Sequence, residues 1–171
     1  MGMDHWYAVW TRARHEFTVR DDLGTKGFEV FLPTTERTSV RRDRKKILTV
    51  PLFPNYVFAR ASMDREQYLA LVRTLGVVNI LGYGERKDIW IPDEQIESVR
   101  ILVDRQIPLA QHPYLQVGKY IRVLSGPFAG AVGIIKQVKG HRRLVVQLDL
   151  LRRAVACEIA AAEVMPVDTP Y

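Results

Sequence analysis

The sequence predicts an α+β fold: an amino-terminal domain made of an antiparallel sheet with helices, followed by a small all-β barrel. Three observations carry this prediction. Strand-like and helix-like patterns alternate through the first hundred residues. A proline-containing stretch without periodicity follows at 107–116, and glycine-punctuated β-branched runs fill the remainder. The expected division is a first domain at 1–106, a linker at 107–116 and a second domain at 117–171.

Trp6-Tyr7-Ala8-Val9-Trp10 is dense in strand formers and predicts the first strand, with Trp6, Ala8 and Trp10 on one face. A helix is expected over 14–26, burying Val19 and Leu23, with Glu16 and Arg20 as a modest helical pair four residues apart and Phe17 partly exposed. Gly27 closes it, and Phe28–Leu32 forms a second strand stopped by Pro33. Thr34–Val50 is a charged excursion whose β-branched flanks predict the two arms of a hairpin. Its tip, Arg41-Arg42-Asp43-Arg44-Lys45-Lys46, has five basic residues in six. Pro51 and Pro54 mark a ragged strand start. In the strand that follows, Tyr56 and Phe58 share one face, and Val57 and Ala59 share the other.

Asp64 with Gln67 three residues on is a capping signature for a second helix, whose stripe is Tyr68, Leu71, Val72 and Leu75 and whose stop is Gly76. Val77–Leu81 and Asp88–Ile91 predict short strands. Pro92-Asp93-Glu94 opens a third helix, in which Ile96, Val99 and Val103 repeat at helical spacing. Past the linker, strands are expected at Tyr120–Leu124, Ala131–Val138, Leu144–Leu148 and Ala154–Ile159. Leu144, Leu148, Leu151, Val155 and Ile159 also fit helical spacing, which leaves a helical alternative open for this segment.

The net charge is +6 and the basic excess sits at the two ends: residues 1–60 carry eleven Lys and Arg against seven acids, and 111–171 carry eight against four. That distribution favours a polyanionic partner, most simply nucleic acid. The arginines and histidine at Arg12, Arg14 and His15 lie where the first strand hands over to its helix, a second place for phosphates to be met. Cys157 is the only cysteine, so neither an internal disulfide nor a cysteine-built zinc site is expected, and a cytoplasmic location is. No run of eighteen apolar residues is present.

An enzyme is not expected. The chain has no nucleophile elbow, no phosphate-binding glycine loop ending in lysine, and no pair of histidines at metal-ligand spacing among His5, His15, His112 and His141. No cofactor or metal is called for. The composition instead describes a binding protein with two modules.

Four stretches resemble the NusG family of transcription elongation factors: Trp6-Tyr7-Ala8-Val9, Glu29–Thr34, Leu52–Phe58, and Val117–Gly130, the last similar to a KOW motif. The resemblance implies that the first domain binds the clamp helices of RNA polymerase through Trp10, Phe53, Tyr56 and Phe58 and suppresses pausing or termination. It implies that the non-template DNA strand passes Arg12, Arg14 and His15, with the hairpin residues Arg41, Arg42, Arg44, Lys45 and Lys46 close by. It also implies that the KOW domain recruits a small-subunit ribosomal protein or termination factor Rho, with Phe128 in the matching loop. Asn55 is similar to the specialised RfaH/UpxY type and implies an operon-specific antiterminator. The helical spacing at 144–159 motivates one further expectation, that the second domain can also fold as helices against Tyr56 and Phe58, as in RfaH. No membrane partner is implied, and a monomer is expected. The alternative reading is a ribosome- or RNA-associated KOW-domain protein.

Overall fold

Strand β1 (His5–Thr11) pairs antiparallel with β5 (Tyr56–Ala61) at the centre of a four-stranded sheet. Strands β2 (Glu29–Phe31) and β6 (Val77–Ile80) flank them, in the order β2-β5-β1-β6. The computed structural model describes residues 3–41, 44–83, 89–105, 109–112, 118–138, 140–160 and 163–167. It divides into two compact units, Met1–Ile91 and Pro92–Tyr171.

Register sorts the side chains of the first unit. Opposite residues in an antiparallel ladder share a face, so Tyr7 with Ala59 and Val9 with Val57 point one way. These join Val19 and Leu23 from helix α1 (Glu16–Thr25) and Leu71 from helix α2 (Arg65–Val72) in one core. The small side chains of Val57, Ala59 and Ala61 leave room for the two helices to seat closely. The other face carries Trp6 opposite Arg60, Ala8 opposite Phe58, and Trp10 opposite Tyr56.

The predicted cap of α2 is present. Asp64 accepts the Gln67 N–H at 2.9 Å, and the Gln67 side chain accepts the Ser62 N–H at 2.8 Å. The helix ends at Val72, however, so Leu75 falls outside the expected stripe and is 72% exposed. The pair expected between Glu16 and Arg20 is replaced as well. Arg20 binds its neighbour Asp21 at 2.7 Å, and Glu16 is buried. The charged excursion forms a ribbon in which β3 (Thr34–Arg41) pairs with β4 (Arg44–Pro51) as a two-stranded sheet.

In the second unit, β7 (Ala110–His112), β8 (Tyr120–Val123), β9 (Val132–Val138), β10 (His141–Leu148), β11 (Arg153–Glu158) and β12 (Val164–Pro166) form an antiparallel sheet. Its order is β12-β8-β9-β10-β11-β7. Leu144–Glu158 is strand and turn throughout, so the helical spacing noted there is not used. Val145, Val146 and Val155 are β-branched and fully ladder-paired, and pairing with neighbours outweighs a weak local periodicity.

Two features differ from the expected domain plan. Part of the proposed linker is the edge strand β7, which pairs Gln111 with Val155; residues 113–117 lie outside the described part. Helix α3 (Asp93–Asp104), expected in the first domain, lies in the second unit. It is fastened by polar side chains rather than by its apolar stripe alone. Gln95 donates to the Asp149 carboxylate at 2.8 Å and accepts the Asp149 N–H at 3.1 Å. The Ser98 hydroxyl accepts the Val132 N–H at 2.9 Å, and Arg122 donates to Glu94 at 2.5 Å. The stripe itself is Ile96, Val99 and Leu102, with Leu102 rather than Val103 fully buried.

Candidate functional site

The first unit has a corner where β1 ends, β5 begins and α1 starts, and of the predicted site residues Trp10, Arg12, Arg14, His15, Phe53 and Tyr56 lie around it. Phe53-Pro54-Asn55-Tyr56 is a reverse turn: the Tyr56 N–H reaches the Phe53 carbonyl at 3.2 Å, and Asn55 has φ of 70°. Proline second and a left-handed residue third is the arrangement of a type II turn. Pro54 therefore belongs to a defined turn and Pro51 to the end of β4, so the two do not mark a ragged strand start. Asparagine and glycine are the residues that take the left-handed conformation with least strain, so the backbone itself explains the residue type at position 55.

The turn sets Tyr56 directly across from Trp10 in the ladder. Of the four aromatic residues expected in a docking patch, these two are reachable: Trp10 is 41% exposed and Tyr56 half-buried. Phe53 and Phe58 are 2% and 0% exposed. They pack edge to face at 6.0 Å, and Phe31 lies 6.2 Å from Phe58, so they anchor the turn from below.

Immediately after β1 comes the basic rim. Arg12 and Arg14 are exposed, with Arg14 at φ 66°, and His15 is half-buried. The His15 ring rests against Gly76, where an added Cβ would meet it at 2.9 Å, and the Arg12 N–H donates to the Gly76 carbonyl at 2.8 Å. Gly76 itself has φ of +94°, so both space and backbone require glycine. The same loop leaves Leu75 exposed. Val78 is 49% exposed, beside the irregularity where Thr11 pairs Val77 directly after Trp10 pairs Asn79.

Glu16 is the residue that sequence reasoning missed. It is only 5% exposed, and its carboxylate accepts the Asn55 N–H at 2.8 Å. The Asn55 carbonyl in turn accepts the Thr11 N–H at 2.9 Å. Nothing in the spacing of residues 16 and 55 announces that contact.

The ribbon leads away from this turn, since Pro51 ends β4. Its register sets Arg41 opposite Arg44, Lys45 opposite Val40 and Lys46 opposite Ser39. Arg37 and Lys46 are exposed. Arg42 lies outside the described residues. In the second unit Phe128 is 2% exposed, inside a tight loop in which the Gly130 N–H returns to the Val123 carbonyl at 2.8 Å. Among the described residues of that unit, the exposed large apolar side chains are Leu124, just past the end of β8, and Met165 on β12.

Four charged groups lining a cleft elsewhere in the first unit have structural partners. A polar cleft of about 490 Å³ is lined by Lys26, Glu29, Arg60 and Asp64. Lys26 donates to the Ala70 carbonyl and the Thr74 hydroxyl, Arg60 pairs with Glu29 at 3.6 Å, and Asp64 caps α2. Among the described residues no group of three or more His, Cys, Asp or Glu is placed to hold a metal ion. No described helix is long and apolar enough to cross a membrane.

Comparison with known proteins gives two family matches. Residues 4–100 match the NusG family, described as transcription termination factor nusG, and residues 117–148 match the KOW motif. The transcription termination/antitermination protein NusG of Staphylococcus carnosus is 29% identical over 175 residues, covering 93% of each chain. That of Staphylococcus aureus strain Mu50 is 28% identical with the same coverage. Among solved structures, one titled "Domain interaction in Thermotoga maritima NusG" superposes with a TM-score of 0.55 at 21% identity, covering 96% of this chain and 98% of that one. That likeness is one of fold. The first family match ends at residue 100, inside α3, although that helix packs with the second unit here.

Proposed function

This chain belongs to the NusG family of transcription termination and antitermination factors, and on that premise we propose that it binds elongating RNA polymerase through Trp10 and Tyr56 while its basic rim meets the exposed non-template DNA strand. The observation that carries this reading is the corner itself. One turn presents Tyr56 opposite an open Trp10, and the next residues along the chain are Arg12 and Arg14. Phe53 and Phe58 serve the same surface as its anchors. A docked clamp helix would find an aromatic contact, and a phosphate backbone running past the rim would find cations a few residues away. The basic ribbon tip, Arg41–Lys46, extends the cationic track.

The KOW domain then couples transcription to a second machine, a small-subunit ribosomal protein or Rho. Phe128 is buried, so such a partner first meets Leu124 and Met165. Operon selectivity rests on the Leu52–Tyr56 likeness to the RfaH/UpxY type. Because the left-handed turn accounts for asparagine at 55, selectivity is a separate proposal with its own test: transcription through several leader sequences, which a selective factor enhances unequally.

The test of the main reading is capture of RNA polymerase by the full chain, with and without a scaffold exposing the non-template strand. Binding is expected in both arms and should be tighter with the strand. Co-sedimentation with ribosomes and no capture of polymerase would replace this function by the ribosome-associated alternative.

A further inference from the structure

We propose that Glu16 is a positioning residue that couples polymerase docking to strand binding, by holding the turn that presents Tyr56 against the basic rim. The inference rests on the docking reading given above and deepens it. Glu16 is 5% exposed as a residue, and a carboxylate kept from water is costly unless it holds something. The side chain accepts the backbone N–H of Asn55, the left-handed residue of the turn, at 2.8 Å. From the other side, the Thr11 N–H donates to the carbonyl of the same residue at 2.9 Å. Thr11 and Glu16 are the residues that immediately bracket Arg12–His15. The basic rim is thus a short loop whose two ends both grip Asn55, the residue covalently attached to Tyr56.

That connection has a thermodynamic consequence. Whatever orders the rim orders the turn, and whatever orders the turn favours the rim conformation that a strand would meet. Coupling of this kind is reciprocal: strand binding raises polymerase affinity by the same factor by which polymerase raises strand affinity. Glu16 touches neither partner. It acts through Asn55 alone.

The experiment measures polymerase affinity of the full chain with and without the strand-exposing scaffold, for four Glu16 and Tyr56 combinations. Glu16→Gln keeps an acceptor oxygen and should bind like the parent. Glu16→Met fills the space without an acceptor, and should weaken polymerase binding roughly tenfold, the scale of one charge-assisted hydrogen bond. It should also abolish the gain from the strand. Tyr56→Ala should weaken binding on its own, and adding Glu16→Met to it should cost less than about twofold more, because both act through one turn. Amide exchange at Asn55 should accelerate in Glu16→Met and stay slow in Glu16→Gln.

Full multiplicative losses in the double variant, or a strand effect that survives Glu16→Met, would overturn the coupling. If Tyr56→Ala binds normally, the docking reading fails and this inference falls with it, an outcome distinct from a normal Glu16→Met beside a weak Tyr56→Ala. Should Glu16→Met not fold, Asn55→Ala carries the same test. It strains the turn at its left-handed position and should reproduce the non-additive loss, while Asn55→Gly should not.

Discussion

At residue scale, the corner depends on a backbone position, Asn55, that ordinary side chains tolerate poorly. Asn55 sits at φ 70°, so Asn55→Gly should leave stability unchanged, whereas Asn55→Ala should lose about 1 kcal/mol. Urea midpoints of the two variants check this. The dipeptide Pro54-Asn55 carried a turn signal that a strand-start reading of the prolines obscured. Glu16 offered no such signal. Its helical spacing to Arg20 suggests a pair within the helix, and only the fold brings residue 16 to residue 55. Asp64 gives a pH test. The Gln67 N–H, and after it the Ser62 hydroxyl, hold its carboxyl below the usual value of 3.8. A depressed folded pKa means that this contribution is present above the unfolded value and is lost as pH falls through the lower folded one. Asp64→Asn should therefore flatten the loss of stability below about pH 4, as followed by helical circular dichroism during acid titration.

At the scale of elements, the sequence patterns located helices and strands well and their neighbours less well. Period-two alternation identified both faces of β5, and the capping pair Asp64 and Gln67 fixed the start of α2. The apolar stripe of α3 was equally visible, but a stripe says that a helix is buried without saying against what. Its fastening to the second unit runs through Gln95 and Ser98, polar residues 1% and 2% exposed, which a hydrophobic pattern leaves out. Ser98→Ala would strand the buried Val132 N–H and should cost about 1–3 kcal/mol. Cys157 on β11 is a natural reporter for this loss. It is 2% exposed, and burial pushes its thiol up to about 11. The native chain should resist alkylation at pH 8, and Ser98→Ala should speed the reaction by its effect on opening of the second unit. An unchanged rate would place α3 outside the cooperative unit.

At the scale of the whole molecule, two units divide the work proposed for the chain, with docking and strand contact in the first and a partner domain in the second. The excess of positive charge, +6 overall, sits in the two end segments of the sequence, 1–60 and 111–171. Reversing the charges across Arg41–Lys46 should weaken strand binding and reduce its salt dependence, while leaving polymerase capture without the strand unaltered. The aromatic patch calls for a sharper choice of variant. Phe58 is fully buried, so Phe58→Ala opens a cavity costing about 3–5 kcal/mol and confounds binding with folding. Trp10 and Tyr56 are the pair that separates the two. The most direct measurement is the affinity of the Trp10→Ala, Tyr56→Ala double variant for RNA polymerase, with its unfolding midpoint recorded alongside. A fall of at least roughly tenfold in a folded variant is the result predicted for a central docking pair; undiminished binding by that folded variant would contradict it.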